Sequence, residues 1–257
     1  MSDILHEIVE RNRPALEARK RDLPFAELAA MAADAPARPR FADAFRSPGI
    51  HVIAELKKAS PSKGLIREDL NVPVLAGQLE NSGATALSVL TEPFYFKGGL
   101  ENLRKAAETV SLPLLRKDFI FDPYQILEAK ACGASAVLLI AAMLRADEFR
   151  RLLDFAHQTG LDVLGEAHIE SELEVAASAD LVGVNARDLK TFSTSLESSA
   201  ALIAKLGTCG KPVVAESAVR TRDDIRMLHA AGASGFLIGE TLMRAAEPGA
   251  KLKELLA

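Results

Sequence analysis

Short apolar runs rich in β-branched residues recur along the chain. Each is followed by a stretch in which apolar positions return every third or fourth residue. The runs are His51–Leu56, Ala84–Leu90, Leu112–Lys117, Ala136–Ile140, Asp162–Glu166, Leu181–Asn185, Pro212–Glu216 and Gly235–Gly239. Their nearly continuous apolar character is that of parallel strands buried on both faces. The intervening segments read as amphipathic helices. In Asp147–Gln158, for example, Phe149, Leu152, Leu153 and Ala156 fall on one face, with Arg and Asp between them. Gly83, Gly133, Gly160 and Gly232 stand just before strands, where glycine closes a helix in the left-handed conformation. Eight strand–helix units with short connections predict a closed (β/α)₈ barrel, an α/β fold spanning 1–257 as one domain. The alternative is an open doubly wound sheet, but its Gly-x-Gly-x-x-Gly turn after a first strand is absent.

Residues 1–45 precede the first strand and read as an N-terminal helical extension capping one end of the barrel. Ile4, Leu5, Ile8 and Val9 form one helical stripe, and Leu16 with Leu23 to Ala30 suggests a second helix. Pro14 should kink or restart the first. Pro248–Ala257 reads as the closing helix.

Composition narrows the function classes. Hydrophobic residues make up 49% of the 257 positions, which is ample for a packed core and argues against disorder. A net charge of −4 without a long run of one sign argues against nucleic acid as a partner. The longest apolar run, Ala136 to Leu144, is too short to span a bilayer, so no membrane association is expected. Met1 to Ile4 show no basic segment leading into an apolar core, and no signal peptide is read there. Cys132 and Cys209 stand far apart and read as reduced residues of a cytoplasmic protein. The five histidines form no ligand-spaced cluster, so no metal is expected. His168, close to Glu166, reads as a supporting or surface residue.

In barrel enzymes the chemistry lies at the C-terminal strand ends. Here these ends carry Glu55 and Lys57, then Lys117, Glu166, Asn185 with Arg187, and Glu216 with Ser217. Any one of them could be a solvated loop residue, but all of them at one mouth form a candidate site. Glu55 and Lys57 lie two apart and so project to the same face of the first strand. Lys57, Lys117 and Arg187 balance Glu55, Glu166 and Glu216. This predicts ion pairs in the resting site, with matched acids and bases for proton transfer. Gly239 followed by Glu240-Thr241-Leu242-Met243-Arg244 reads as a phosphate site at a helix start. Phe96, Phe119 and Leu138 could line an apolar pocket, whereas Ile140 reads as ordinary core.

These residues resemble one family. Ala54-Glu55-Leu56-Lys57-Lys58-Ala59-Ser60-Pro61-Ser62 is similar to the signature of the indole-3-glycerol phosphate synthases of tryptophan biosynthesis. The resemblance continues through Leu90-Thr91-Glu92, Tyr95-Phe96-Lys97-Gly98 and Leu115-Arg116-Lys117-Asp118-Phe119-Ile120. It extends to Gly183-Val184-Asn185-Ala186-Arg187-Asp188-Leu189, Val214-Ala215-Glu216-Ser217 and Phe236-Leu237-Ile238-Gly239. It implies a cofactor-free carboxy-lyase that closes 1-(2-carboxyphenylamino)-1-deoxyribulose 5-phosphate to the indole, with loss of carbon dioxide and water. It also implies Lys117 as general acid, Glu166 as general base, Lys57 as a further group in catalysis, and Glu55 as a catalytic residue that also positions Lys57. Ser60, Phe96, Phe119, Leu138, Asn185, Arg187 and Glu216 are implied to bind the substrate. Lys57, Ser217, Gly239 and the backbone of Glu240 are implied to bind its phosphate. The expected partner is thus a small phosphorylated molecule, bound by a monomer or weak homo-oligomer. Ala218 stands where the family often has glycine and can present its N–H only if no positive φ is required there. A glutamate at 240 must turn its side chain away from a phosphate. Two other readings are a different phosphate-binding barrel, such as a sugar-phosphate isomerase, and an inactive barrel acting as a binding protein. Neither accounts for Glu55, Lys57, Lys117 and Glu166 together.

Overall fold

The computed structural model describes residues 3–188, 191–207 and 209–257. Leu189, which ends one of the family-like motifs, lies outside them, as do Met1 and Ser2. Eight parallel strands close into a barrel. They are β1 (His51–Leu56), β2 (Ala86–Leu90), β3 (Leu114–Lys117), β4 (Ala136–Ile140), β5 (Asp162–Ala167), β6 (Leu181–Asn185), β7 (Val213–Glu216) and β8 (Gly235–Ile238). Closure runs through β1 and β8, with Val52 opposite Phe236 and Ala54 opposite Ile238. Most predicted strands begin or end within two residues of the observed ones. Those predicted from Leu112 and Pro212 start later because Pro113 and Pro212 have no N–H to give the ladder. The one predicted from Ala84 starts at Ala86, after the left-handed turn at Gly83. The last ends at Ile238, and Gly239 is the N-cap of the helix that follows. Gly83, Gly133, Gly160 and Gly232 all have positive φ, as their positions before strands required.

The helices are α1 (Asp3–Asp22), α2 (Phe25–Asp34), α3 (Val72–Glu80), α4 (Leu100–Thr109), α5 (Pro123–Ala131), α6 (Ala146–Gln158), α7 (Leu173–Ala176), α8 (Leu196–Leu206), α9 (Arg222–Ala230), α10 (Glu240–Arg244) and α11 (Pro248–Leu256). None of the described helices is long and apolar enough to cross a membrane. Pro14 does not restart α1, which is continuous. Pro14 is exposed, so the Glu10 carbonyl that it deprives of a donor can turn to water, while buried Leu5, Ile8, Val9 and Leu16 hold the helix down on both sides. Leu16 therefore belongs to α1, and α2 begins only after Pro24.

The N-terminal segment reaches both ends of the barrel rather than one. Its Phe41 and Phe45 are buried, and its Arg40 pairs with the buried Asp162 at the start of β5. At the other end Ile4, Leu5 and Ile8 of α1 line the cavity at the barrel mouth. A small separate core of Leu16, Leu28, Ala32, Tyr124 and Leu127 ties α1 and α2 to α5. The Tyr124 hydroxyl completes it by donating to the carbonyls of Arg19 at 3.0 Å and Leu23 at 2.8 Å.

Candidate active site

A cavity of about 680 Å³ opens at the C-terminal ends of the strands, within the size range of small-molecule sites. All the residues singled out from the strand ends line it: Glu55, Lys57, Ser60, Phe96, Lys117, Phe119, Leu138, Glu166, Asn185, Arg187, Glu216, Ser217, Gly239 and Glu240. Ile140 lines it too, and so is not merely core.

Strand alternation explains the grouping. On β3, Lys117 points into the barrel while its neighbour Arg116 points out toward α5, where it bonds Gln125 O and Glu128. Lys117 Nζ donates to Glu166 Oε2 at 2.5 Å and to Glu216 Oε2 at 2.6 Å. Lys57 Nζ lies 2.6 Å from Glu55 Oε2, as their two-residue spacing required. Two inward glycines make room for these acids. A Cβ at Gly183 would come within 2.2 Å of Glu216 Oε1, and one at Gly239 within 2.1 Å of Glu55 Oε2.

The expected third pairing does not form. Arg187 Nη1 donates instead to Ser62 Oγ at 3.1 Å and to the Phe192 carbonyl at 3.0 Å. It thereby ties the β6 loop to the Ser-Pro-Ser loop, which is folded on itself by the short antiparallel pair Ala59–Ser60 and Gly64–Leu65. One ammonium thus serves two buried carboxyls. Burial disfavours the Lys117 ammonium, but Glu166, Glu216 and Glu55 outweigh it and raise its pKa above the ordinary lysine value. Burial works against an ionised Glu166, yet Lys117 and His168 hold its pKa down at about 2. Glu216, buried with its Oε1 unpartnered, is pushed up to about 8 by desolvation and by Glu166, against the pull of Lys117. The two carboxyls share one ammonium and titrate as a unit, so ionising one makes the other harder to ionise.

Phe96 and Phe119 form an aromatic wall, with ring centroids 5.9 Å apart. Sequence reasoning missed what holds it. Glu92, fully buried, accepts the backbone N–H groups of Phe94 (3.0 Å), Tyr95 (2.7 Å) and Phe96 (2.9 Å), and Asn12 of α1 donates to it at 3.0 Å. A carboxylate followed by three such donors was visible in the motif, but not its burial.

The phosphate-like end is built from two loops pinned together by the Thr241 hydroxyl, which donates to the Val219 carbonyl at 2.6 Å. Ser217 and Ala218 have φ of 66° and 64°, so the backbone does require the left-handed region at the alanine. Val219 N–H closes a three-residue turn over Ala218 on the Ser217 carbonyl at 2.9 Å, a strained geometry for a residue with a Cβ. Replacing Ala218 with glycine is therefore expected to stabilise the protein by about 0.5–1 kcal/mol, the relief of left-handed strain less the entropy glycine adds to the unfolded chain. Thermal unfolding measures this, and an unchanged or lower Tm refutes it. Glu240 Oε1 accepts from Arg244 Nε at 2.9 Å. Burial raises its pKa, but Arg244, Lys63 and Lys57 together hold the carboxyl below its ordinary range, so its charge is already balanced. Lys63, which lines the same end, is a cation the sequence reading passed over. Among the described residues no group of three or more His, Cys, Asp or Glu side chains is arranged to hold a metal ion.

Known proteins bear on this geometry. The family model described as "Indole-3-glycerol phosphate synthase" matches residues 5–255. This chain belongs to the indole-3-glycerol phosphate synthase family. An indole-3-glycerol phosphate synthase of Koribacter versatilis is 49% identical to it over 265 residues, covering all of both chains. One of Neisseria gonorrhoeae is 45% identical over 263 residues, covering 99% of this chain and all of the relative. Among solved structures, a 3-hexulose-6-phosphate synthase superposes with a TM-score of 0.65 at 17% identity, over 80% of this chain and 98% of the other. A tryptophan synthase alpha-subunit of Pyrococcus furiosus gives 0.63 at 16%, over 80% and 97%. These distant structures share only the barrel. Family membership covers the N-terminal helices as well, since the match begins at residue 5.

Proposed function

We propose that this chain is an indole-3-glycerol phosphate synthase, closing 1-(2-carboxyphenylamino)-1-deoxyribulose 5-phosphate to indole-3-glycerol phosphate, carbon dioxide and water. The observation that carries the reading is Lys117 clamped between Glu166 and Glu216, between an aromatic wall and a cation-lined loop pair. The aryl carbon bearing the carboxylate attacks the ketone, and Lys117 gives its proton to the ketone oxygen. Loss of carbon dioxide restores the aromatic ring. The hydroxyl so formed leaves as water after a second protonation, while a proton passes from the substrate to Glu166. The two uptakes and one release give net consumption of one proton, which matches loss of a carboxylate as neutral carbon dioxide.

The clamp orders these steps. While Lys117 is charged, Glu166 is a weak base. Once Lys117 has given up its proton, the cation holding Glu166 down is gone and its basicity rises. Lys57, paired with Glu55, stands toward the phosphate end with Ser217, Gly239 and the Glu240 backbone. Asn185, Arg187 and Glu216 take the substrate's polar groups, and Ser60, Phe96, Phe119 and Leu138 enclose its body. The same reading puts the chain in the cytoplasm, in keeping with its free cysteines Cys132 and Cys209.

The test is to incubate purified protein with the anthranilate-bearing ribulose phosphate, without added metal or nucleotide, and follow indole fluorescence. Product formation is expected. A folded protein that makes none overturns the reading.

A further inference from the structure

His168 stands just past β5, two residues beyond Glu166, and its side chain is only 6% exposed. Nε2 lies 3.3 Å from Glu166 Oε1 and Nδ1 lies 3.7 Å from Glu172 Oε2. Glu172 is fixed in turn, its Oε2 accepting the backbone N–H groups of His168 at 2.7 Å and Ile169 at 3.3 Å. Burial works against an ionised Glu172, but His168 and these N–H groups hold its pKa below the ordinary value. The imidazole is therefore enclosed between two carboxylates, one of which is the site's base.

The two oxygens of Glu166 are divided between partners. Oε2 is taken by Lys117 and Oε1 faces His168. Neither ring nitrogen makes a well-aligned hydrogen bond in this state. A buried polar ring with unused donor capacity is costly to keep beside a reacting group unless it is used at another stage. Such a stage exists. When Lys117 gives its proton away, Glu166 loses its cation at Oε2, and His168 is the donor that faces Oε1, needing to close only a few tenths of an ångström.

We propose that His168 is a positioning residue for Glu166, holding the carboxylate at Oε1 when Lys117 releases Oε2, with Glu172 as the anchor of the imidazole. This rests on the reading of Glu166 as the base. The charged and titratable groups facing Glu166 are Lys117 from β3, Glu216 from β7 and His168 itself, with Glu55 of β1 acting on Lys117. Facing His168 are Glu166 and Glu172, with Arg187 and Asp188 of the β6 loop lining the adjoining cavity.

The test is a double-mutant cycle read by single-turnover indole formation. His168→Phe is expected to lower the rate about tenfold in the native background with KM within twofold, in the range of supporting partners of a reacting group. It should also move the acidic limb of the kcat profile up by about one pH unit, because Glu166 loses a donor to its charged form. In a Glu166→Gln background the same change should cost less than twofold, since the residue it serves is gone. Glu172→Gln carries the same cycle with a smaller effect should the phenylalanine variant not fold. Equal losses in both backgrounds mean that His168 only fills space and overturn the proposal, as does no loss in either. Failure of the base assignment shows separately, as a Glu166→Gln enzyme that keeps its turnover.

Discussion

Lys117→Ala is expected to lower kcat by about 10²–10⁴-fold, the usual value of a positioned acid, while substrate affinity falls by much less. The asymmetry follows from where Lys117 stands. Two of its three N–H donors are taken by Glu166 and Glu216 at rest, so it has little left to offer a ground-state substrate. On the proposed reading its gain comes when negative charge grows on the ketone oxygen, which is stabilisation confined to the transition state. Rapid-quench measurement of the chemical step, with binding followed by fluorescence quenching, separates the two effects. A native-like rate removes Lys117 as the acid, and an equal loss of binding reassigns it to substrate capture.

The same substitution should alter stability in a pH-dependent way. In the native chain Lys117 keeps Glu166 ionised, a contribution present above about pH 4.5 and lost as pH falls through about 2. Without the ammonium, Glu166 and Glu216 face each other in a buried site, and both resist ionisation. The folded state then holds protons that the unfolded chain gives up above about pH 4.5, so stability declines as pH rises from there. The Tm deficit of Lys117→Ala should therefore be larger at pH 8 than at pH 5.5. A deficit that is the same at both overturns the shared-cation picture.

The parts of this site that were legible in the sequence are those set by local period. Glu55 and Lys57 meet because alternate residues of a strand share a face, and Lys117 points inward because it ends one. Glycine before a strand announced its left-handed turn. What stayed hidden depends on packing between distant segments. Lys117 serving two acids while Arg187 turns to Ser62 is decided by how the β6 and β1 loops fold over the mouth. Ala218 carries no sign of a positive φ, because the residue type argues against it. His168 read as marginal because burial beyond a strand end depends on the turn that Glu172 closes. Pro14 sits inside α1 because its face is exposed, which helix propensity alone does not weigh.

Arg116→Met is expected to destabilise the protein by about 3–5 kcal/mol, the cost of breaking a buried ion pair by removing one partner. Arg116 is 1% exposed, the largest side chain so fully enclosed. Its guanidinium donates to Asp118 Oδ2 at 2.9 Å, Thr91 Oγ1 at 3.0 Å, the Gln125 carbonyl at 2.5 Å and Glu128 Oε2 at 3.1 Å. Methionine fills much of the volume but leaves Asp118 and Glu128 buried with less opposing charge. Glu128 retains Arg19 of α1 at 2.5 Å, so Asp118 is the more exposed to the loss. Asp118 also accepts the Phe119 N–H at 2.8 Å, which fixes the backbone directly after Lys117 and sets one ring of the aromatic wall. The fault should therefore reach the chemistry, lowering kcat as well as the urea midpoint. Adding Asp118→Asn removes the uncompensated charge and should recover about half the lost stability without restoring the guanidinium's hold on Thr91 and Gln125. A loss below about 1 kcal/mol in equilibrium urea unfolding of Arg116→Met, or no recovery in the double variant, would mean that charge is not what Arg116 contributes. The expected pattern makes the buried network the link between α1, α5 and the strand end that presents Lys117. Helix α1 then supports the site through Arg19 and Asn12 as well as covering it through Ile4, Leu5 and Ile8.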